Sequence, residues 1–150
     1  MLLGLGKEKL RELPMAFTGT LPPNCSSPVV FLPGTLVVQG TGYQESPGLA
    51  GEIATSEALL SWPVIILVDS ANEATCSMQE FLWTVFTRFE PAADIHGSGT
   101  AVRRFHVGLI PPVVFDCRMK PWYTDILEVD ITTKTSVDTY YNTIIPAKWR

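Results

Sequence analysis

The sequence predicts an α/β sandwich, built as a mixed sheet with helices packed on it in two or three layers. Three observations carry that prediction. Pro63-Val64-Ile65-Ile66-Leu67-Val68-Asp69 is an apolar, β-branched run without polar alternation, the pattern of a strand covered on both faces. Ser77 stands three residues before Glu80, and Met78, Phe81, Leu82, Val85, Phe86 and Phe89 recur at spacings of three and four. That combination is a capping box opening a helix with a wide apolar face, which Pro91 ends. Val113-Val114-Phe115 repeats the buried-strand pattern further on, so strands and helices alternate along the chain.

The remaining elements follow from turn chemistry. Val29-Val30-Phe31-Leu32 and Thr35-Leu36-Val37-Val38-Gln39 are predicted strands joined by a tight Pro33-Gly34 turn. Leu49 to Leu60 is a predicted helix, with Leu49, Ile53 and Leu60 near one face. Lys7 to Leu13 can form a short helix stopped by Pro14, and Leu127 to Asp130 a short edge strand. Residues 1–24 are thus expected to be a lead-in, 25–130 the α/β domain, and 131–150 a Thr-rich tail. With Tyr140, Tyr141 and Trp149, that tail is too apolar for a free linker and is expected to dock.

Composition narrows the function classes. The chain has 150 residues, 11 basic and 15 acidic, for a net charge of −4. With no basic block, it is a poor ligand for nucleic acid or anionic membranes. Only 17% of residues are charged and 46% are hydrophobic, which points to a partner that covers part of the surface. Three widely spaced cysteines, Cys25, Cys76 and Cys117, form no disulfide framework or zinc knuckle. The short apolar start is no secretory signal, and a soluble, cytoplasmic protein is expected.

Chemical motifs are weak. Gly40-Thr41-Gly42 lacks a third glycine and a P-loop lysine, and Gly97-Ser98-Gly99-Thr100 reads as a flexible loop more readily than an anion nest. His96 and His106, with Asp94, Asp116 and Cys117, offer a conceivable metal site, but a loop histidine and a strand histidine explain them as well. Ile95-His96-Gly97-Ser98-Gly99 misses the spacing of a nucleophile elbow. Cys117, beside Arg118 and Lys120, is either an activated thiol or a buried structural one, the latter favoured. Asp69 and Asp116 each end a buried strand, where α/β folds place ligands, and either can equally cap the following turn. Arg88 lies near its helix end with Asp94 six residues on, and the two are expected to clamp the exit loop.

Three segments, in order, carry a family resemblance. They are Pro63 to Asp69; the helix and turn with Trp83, Thr87, Arg88, Pro91 and Asp94; and Asp116-Cys117-Arg118-Met119-Lys120-Pro121. Together they resemble the C-terminal domain of the UbiD-type prenylated-flavin decarboxylases and carboxylases, departing from it where Cys117 replaces the usual alanine and where few acids follow Asp69. The resemblance implies a small subunit of a heteromeric aromatic-acid decarboxylase or carboxylase, not expected to be active alone. Prenylated FMN and its divalent metal would sit in a larger partner chain, with no cofactor, metal or catalytic residue in this one. Glu52 and Glu57 have the spacing of the family's paired glutamates but lie in a helix-like stretch of the wrong domain, so no catalytic role is carried over to them. By the same resemblance Phe105, Val107 and Leu109 are candidates for a pocket wall over an aromatic substrate, ordinary strand core being the other reading. Trp83, Thr87, Arg88, Pro91, Asp94, Asp116, Lys120 and Pro121 are expected to form a structural or interface motif. A non-catalytic assembly module, making homo-oligomer contacts, is the alternative function, and a stand-alone small-molecule binder is a third.

Overall fold

The computed structural model describes residues 12–103, 105–124 and 130–144. The expected helix at 7–13 lies outside these except for Glu12 and Leu13, which join no regular element, and so does most of the expected strand at 127–130. Elements follow in the order β1 (Cys25–Leu32), β2 (Thr35–Gly40), α1 (Leu49–Thr55), a 3₁₀ turn (Glu57–Leu59), β3 (Val64–Val68), α2 (Ala71–Ala74), α3 (Met78–Thr87), β4 (Ile95–Arg103), β5 (His106–Asp116) and α4 (Ile131–Ile144).

The strands form one mixed sheet in the order β1-β2-β3-β5-β4. β2, β3 and β5 run parallel, and the antiparallel hairpins β1–β2 and β4–β5 form its edges. The β1–β2 turn places Gly34 at φ +77°, a conformation glycine adopts without steric cost.

Alternation along the central strands builds two cores. Leu36 and Val38 of β2 and Ile65 and Leu67 of β3 pack with Leu49, Ala50, Ile53 and Ala54 of α1. Val37, Ile66 and Val68 point the other way, to Ala71 and Ala74 of α2 and Phe81 and Val85 of α3. The result is a three-layer α/β/α sandwich, with each buried aliphatic side chain contributing roughly 1.5–3 kcal/mol before entropy is counted. Gly40 allows the close approach of α1 to the sheet, since a Cβ there would stand 2.7 Å from Leu67 and 2.9 Å from Leu49.

Two expectations are corrected, and two are filled in. The helix over 49–60 breaks at Ser56, where the backbone is extended, so Leu59 is buried in place of Leu60. The glycine stretch at 97–100 is strand, with a register shift between Gly97 and Gly99, and Ser98 Oγ donates to the Ile110 and Pro111 carbonyls. Residues 131–144 form a helix, none of whose residues is buried. Only part of the α3 apolar face faces the sheet: Phe81 and Val85 are buried, whereas Met78, Leu82 and Phe86 are exposed. Among the described residues, no helix is long and apolar enough to cross a membrane.

Candidate functional site

β2 and β3 are parallel neighbours whose exits leave on opposite faces, β2 toward α1 and β3 toward α2. Such a divergence opens a crevice at the carboxyl ends of the strands, the usual ligand position in α/β sheets. Here three loops meet: 41–48 after β2, 69–70 after β3, and 117–123 after β5.

The crevice is closed by ion pairs. Asp116, at the end of β5, and Arg118 and Lys120, on the bend that follows it, are all three buried. Arg118 grips Asp116 with both arms of its fork, Nε to Oδ1 at 2.9 Å and Nη2 to Oδ2 at 2.7 Å. Its third nitrogen, Nη1, donates to the carbonyls of Thr41 (2.9 Å) and Ser46 (3.1 Å), pinning both ends of the 41–48 loop. Lys120 Nζ donates to Asp94 Oδ2 and to the Arg88 carbonyl, each at 2.9 Å, and also to the Asp116 carbonyl. Asp69 Oδ2 accepts from Arg88 Nη1 at 3.2 Å and from the Met119 amide at 2.7 Å.

Three acids and three bases thus neutralise one another. Arg88 pairs with Asp69, and Asp94 with Lys120, so the expected Arg88–Asp94 clamp is replaced by two pairs that tie the α3 exit to β3 and β5. The sequence missed this because Asp69 and Lys120 are close to that exit only in space. Arg118 was visible merely as a charge near Cys117, since the bend past the end of β5 that turns it back onto Asp116 has no local signature.

Aromatic groups cover the ion pairs. Arg118 lies 5.3 Å from the Tyr43 ring centre, and Lys120 Nζ lies 5.8 Å from that of Tyr43 and 5.6 Å from that of Tyr123. Trp122 meets Tyr43 edge-on at 5.4 Å. Beside them lies a cavity of about 400 Å³, lined by Gly42, Tyr43, Glu45, Met119, Lys120 and Tyr123 among others. The Tyr123 phenol is held above its ordinary pKa, first by desolvation and then by nearby carboxylates, Asp94 foremost. Cys117, on the far side of the segment, is wholly buried, and burial pushes its pKa up to about 12, so it is the structural thiol and not a nucleophile.

The family-motif residues divide accordingly. Arg88, Asp94, Asp116 and Lys120 converge on this lattice. Pro121 lines the cavity. Thr87 donates to the Trp83 carbonyl within its own helix, and Trp83 and Pro91 are exposed. Phe105, Val107 and Leu109 line neither this cavity nor the cleft between α2 and α3. They sit on the β4–β5 ribbon, which runs past the end of β3: β3 pairs only with Val113 to Asp116, whereas β4 and β5 stay paired out to Arg103 and His106. Phe105 occupies the ribbon turn at φ +67°, fully exposed, and Val107 is 73% exposed.

Each cation of the lattice already holds a carboxylate, leaving none for a phosphate. Among the described residues, no group of three or more His, Cys, Asp or Glu side chains is placed to hold a metal ion.

A three-layer domain whose motif residues lock the carboxyl end of its sheet is the class that fold and site define. No protein-family model matches the chain. It is 33% identical over 145 residues to an uncharacterized protein of Chlamydia trachomatis, a match covering 96% of this chain and 24% of that one. It is 32% identical over 146 residues to a Chlamydia pneumoniae protein named as a subunit of 4-hydroxybenzoate decarboxylase, covering 97% of this chain and 24% of that one. Among solved structures, vanillic acid decarboxylase of Sedimentibacter hydroxybenzoicus aligns with a TM-score of 0.47 at 11% identity, over 81% of this chain and 29% of that one. Nearly the whole chain is thus similar to one quarter of these chlamydial proteins, and the matched stretch includes residues 63–121. It spans about a quarter of the length of the curated relatives it matches.

Proposed function

We propose that this chain is the flavin-free lobe of a decarboxylase or carboxylase acting on an aromatic acid. A larger lobe, whether a separate subunit or the rest of a longer chain, would bind prenylated FMN and a divalent metal. The observation that carries this reading is the match of nearly the whole chain to one quarter of a protein named as a 4-hydroxybenzoate decarboxylase subunit. The cations and aspartates of the crevice lattice support it, since each is committed to an internal pair. On this reading the reaction chemistry stays in the larger lobe, and this one supplies shape and excludes water.

The β4–β5 ribbon is the part that would do so. A phenylalanine in a left-handed conformation, fully exposed, costs both backbone energy and solvation, and such costs gather at functional positions. Phe105, Val107 and Leu109 would reach out of this lobe and over the ring of a substrate held by the other.

The test is Phe105→Ala in the assembled complex. Turnover should fall about ten-fold, equivalent to about 1.4 kcal/mol of barrier, while the melting temperature stays within about 1 °C, as for an exposed side chain. Equal losses of turnover and stability would overturn the assignment.

An assembly module is the second reading, favoured by the outward Met78, Leu82, Trp83 and Phe86 of α3, an apolar group that none of the described residues covers. It predicts that removing this chain changes the size of the complex and leaves turnover per flavin intact.

A further inference from the structure

The β4–β5 ladder breaks at the root of the ribbon. Gly97 pairs with Val113 and Gly99 with Ile110, so Ser98 stands opposite both Pro111 and Pro112. Two residues against one make a β-bulge, which bends a strand pair and re-aims what lies beyond it. Neither proline has an N–H, so β5 cannot donate across the pair at this point. The cross-strand bond comes from β4 instead. Ser98 Oγ lies 3.1 Å from the Ile110 carbonyl oxygen and 2.9 Å from that of Pro111, and shares its one proton between them. The flanking glycines let the two strands close around this bond. A Cβ at Gly97 would stand 3.0 Å from the Ile110 carbonyl oxygen and 3.1 Å from that of Gly99, and one at Gly99 would stand 3.3 Å from Ile110 Cδ1.

The break falls where the support of the sheet ends. β3 pairs with β5 only from Val113 onward, and beyond that point β4 and β5 pair with each other alone among the described residues. A two-stranded ribbon has little stiffness of its own, so its direction is set at its root. Phe105 lies at the far end, and at about 3.3 Å per residue the arm from Ser98 is roughly 20 Å long. A tilt of about 10° at the root would carry the tip by about 4 Å. Displacements of about 1 Å already matter for groups that orient a reactant.

We infer that Ser98 is a positioning residue: its hydroxyl bridges the break in the ladder and fixes the angle at which the ribbon carries Phe105, Val107 and Leu109. The effect on turnover rests on the reading of the ribbon as a pocket wall, whereas the angle itself is measured without that reading.

Distances between two spin labels test the angle on this chain alone. One label sits on the exposed Cys76 and the other on Phe105→Cys. With Ser98 present the distance distribution should be narrow. Ser98→Ala should shift or widen it by about 4 Å, and Ser98→Thr, which keeps the hydroxyl, should restore it. Ser98 is only half-buried, so these variants are expected to fold. In the assembled complex without labels, Ser98→Ala should lower kcat about ten-fold while KM changes less than about two-fold, and Ser98→Thr should recover kcat. A distance distribution unchanged by Ser98→Ala would overturn the inference. So would a shifted distribution with full turnover; loss of turnover in Phe105→Ala would then show that the ribbon still forms the wall.

Discussion

Replacing Arg118 by methionine isolates what the crevice lattice contributes. Arg118 and Asp116 have side-chain exposures of 0% and 2%, so the pair is not weakened by solvent. Removing the guanidinium strands the Asp116 carboxylate in the interior, a change that costs about 3–5 kcal/mol. The carbonyls of Thr41 and Ser46 also lose their donor, but an opened loop can hydrate them, so little is added. Urea unfolding should show that loss, together with a fall in melting temperature of roughly 6–20 °C for a chain of this size. Limited chymotrypsin digestion gives a local readout: cleavage after Tyr43 should accelerate because both ends of its loop are released. Arg118→Lys should be intermediate, keeping the charge and losing the fork. Asp116→Leu/Arg118→Met should cost less than the sum of the single changes, since no charge is then left unpaired. A loss below about 1 kcal/mol for Arg118→Met, with Tyr43 still protected, would refute the claim that this pair holds the loop.

Two further outcomes follow from the titratable groups. Burial raises Cys25 to about 11 and Cys117 to about 12 from an ordinary 9.0, so a thiol reagent at pH 8 should modify the exposed Cys76 alone until the chain unfolds. For the same reason stability should decline as the pH rises above 9, because the unfolded chain ionises its thiols first. At the start of α4, hydrogen bonds from Thr132, and then from the Thr133 amide and hydroxyl, lower the pKa of Asp130. A lowered folded-state pKa gives stability that is present above the ordinary carboxylate range and lost as the pH falls through the lowered value. Carbon chemical shifts should therefore show α4 intact through the ordinary aspartate range and fraying below it. Asp130→Ala should fray α4 already at neutral pH, and an unchanged helix would show that this carboxylate is no cap.

Local chemistry was legible in the sequence wherever one force acted alone. The Val64–Val68 strand was visible because a central parallel strand must be apolar on both faces. The start of α3 was visible because Ser77 Oγ accepts from the Glu80 amide, 3.1 Å away, and a capping box is a contact between near neighbours. β4 was hidden because Gly97, Ser98 and Gly99 carry turn composition, and only pairing with β5 holds them extended. α4 was hidden because threonine favours it so little. The apolar period of α3 groups the exposed Leu82 and Phe86 with the buried Phe81 and Val85, since periodicity reports an apolar face without saying what covers it. At the crevice, sequence marked out Arg88, Asp94, Asp116 and Lys120 but joined the wrong pair. Charge pairs across 19 and 26 residues are set by where loops meet, and nothing local encodes them.

Reconstitution tests most directly the central claim that this lobe lends form to a reaction whose electrons move elsewhere. The larger lobe, loaded with prenylated FMN, is titrated with this chain while absorbance and aromatic-acid turnover are followed together. Turnover should rise to a plateau at one chain per flavin, with the flavin spectrum travelling with the larger lobe on a sizing column. A flavin spectrum retained by this chain alone, or turnover indifferent to its addition, would contradict the account.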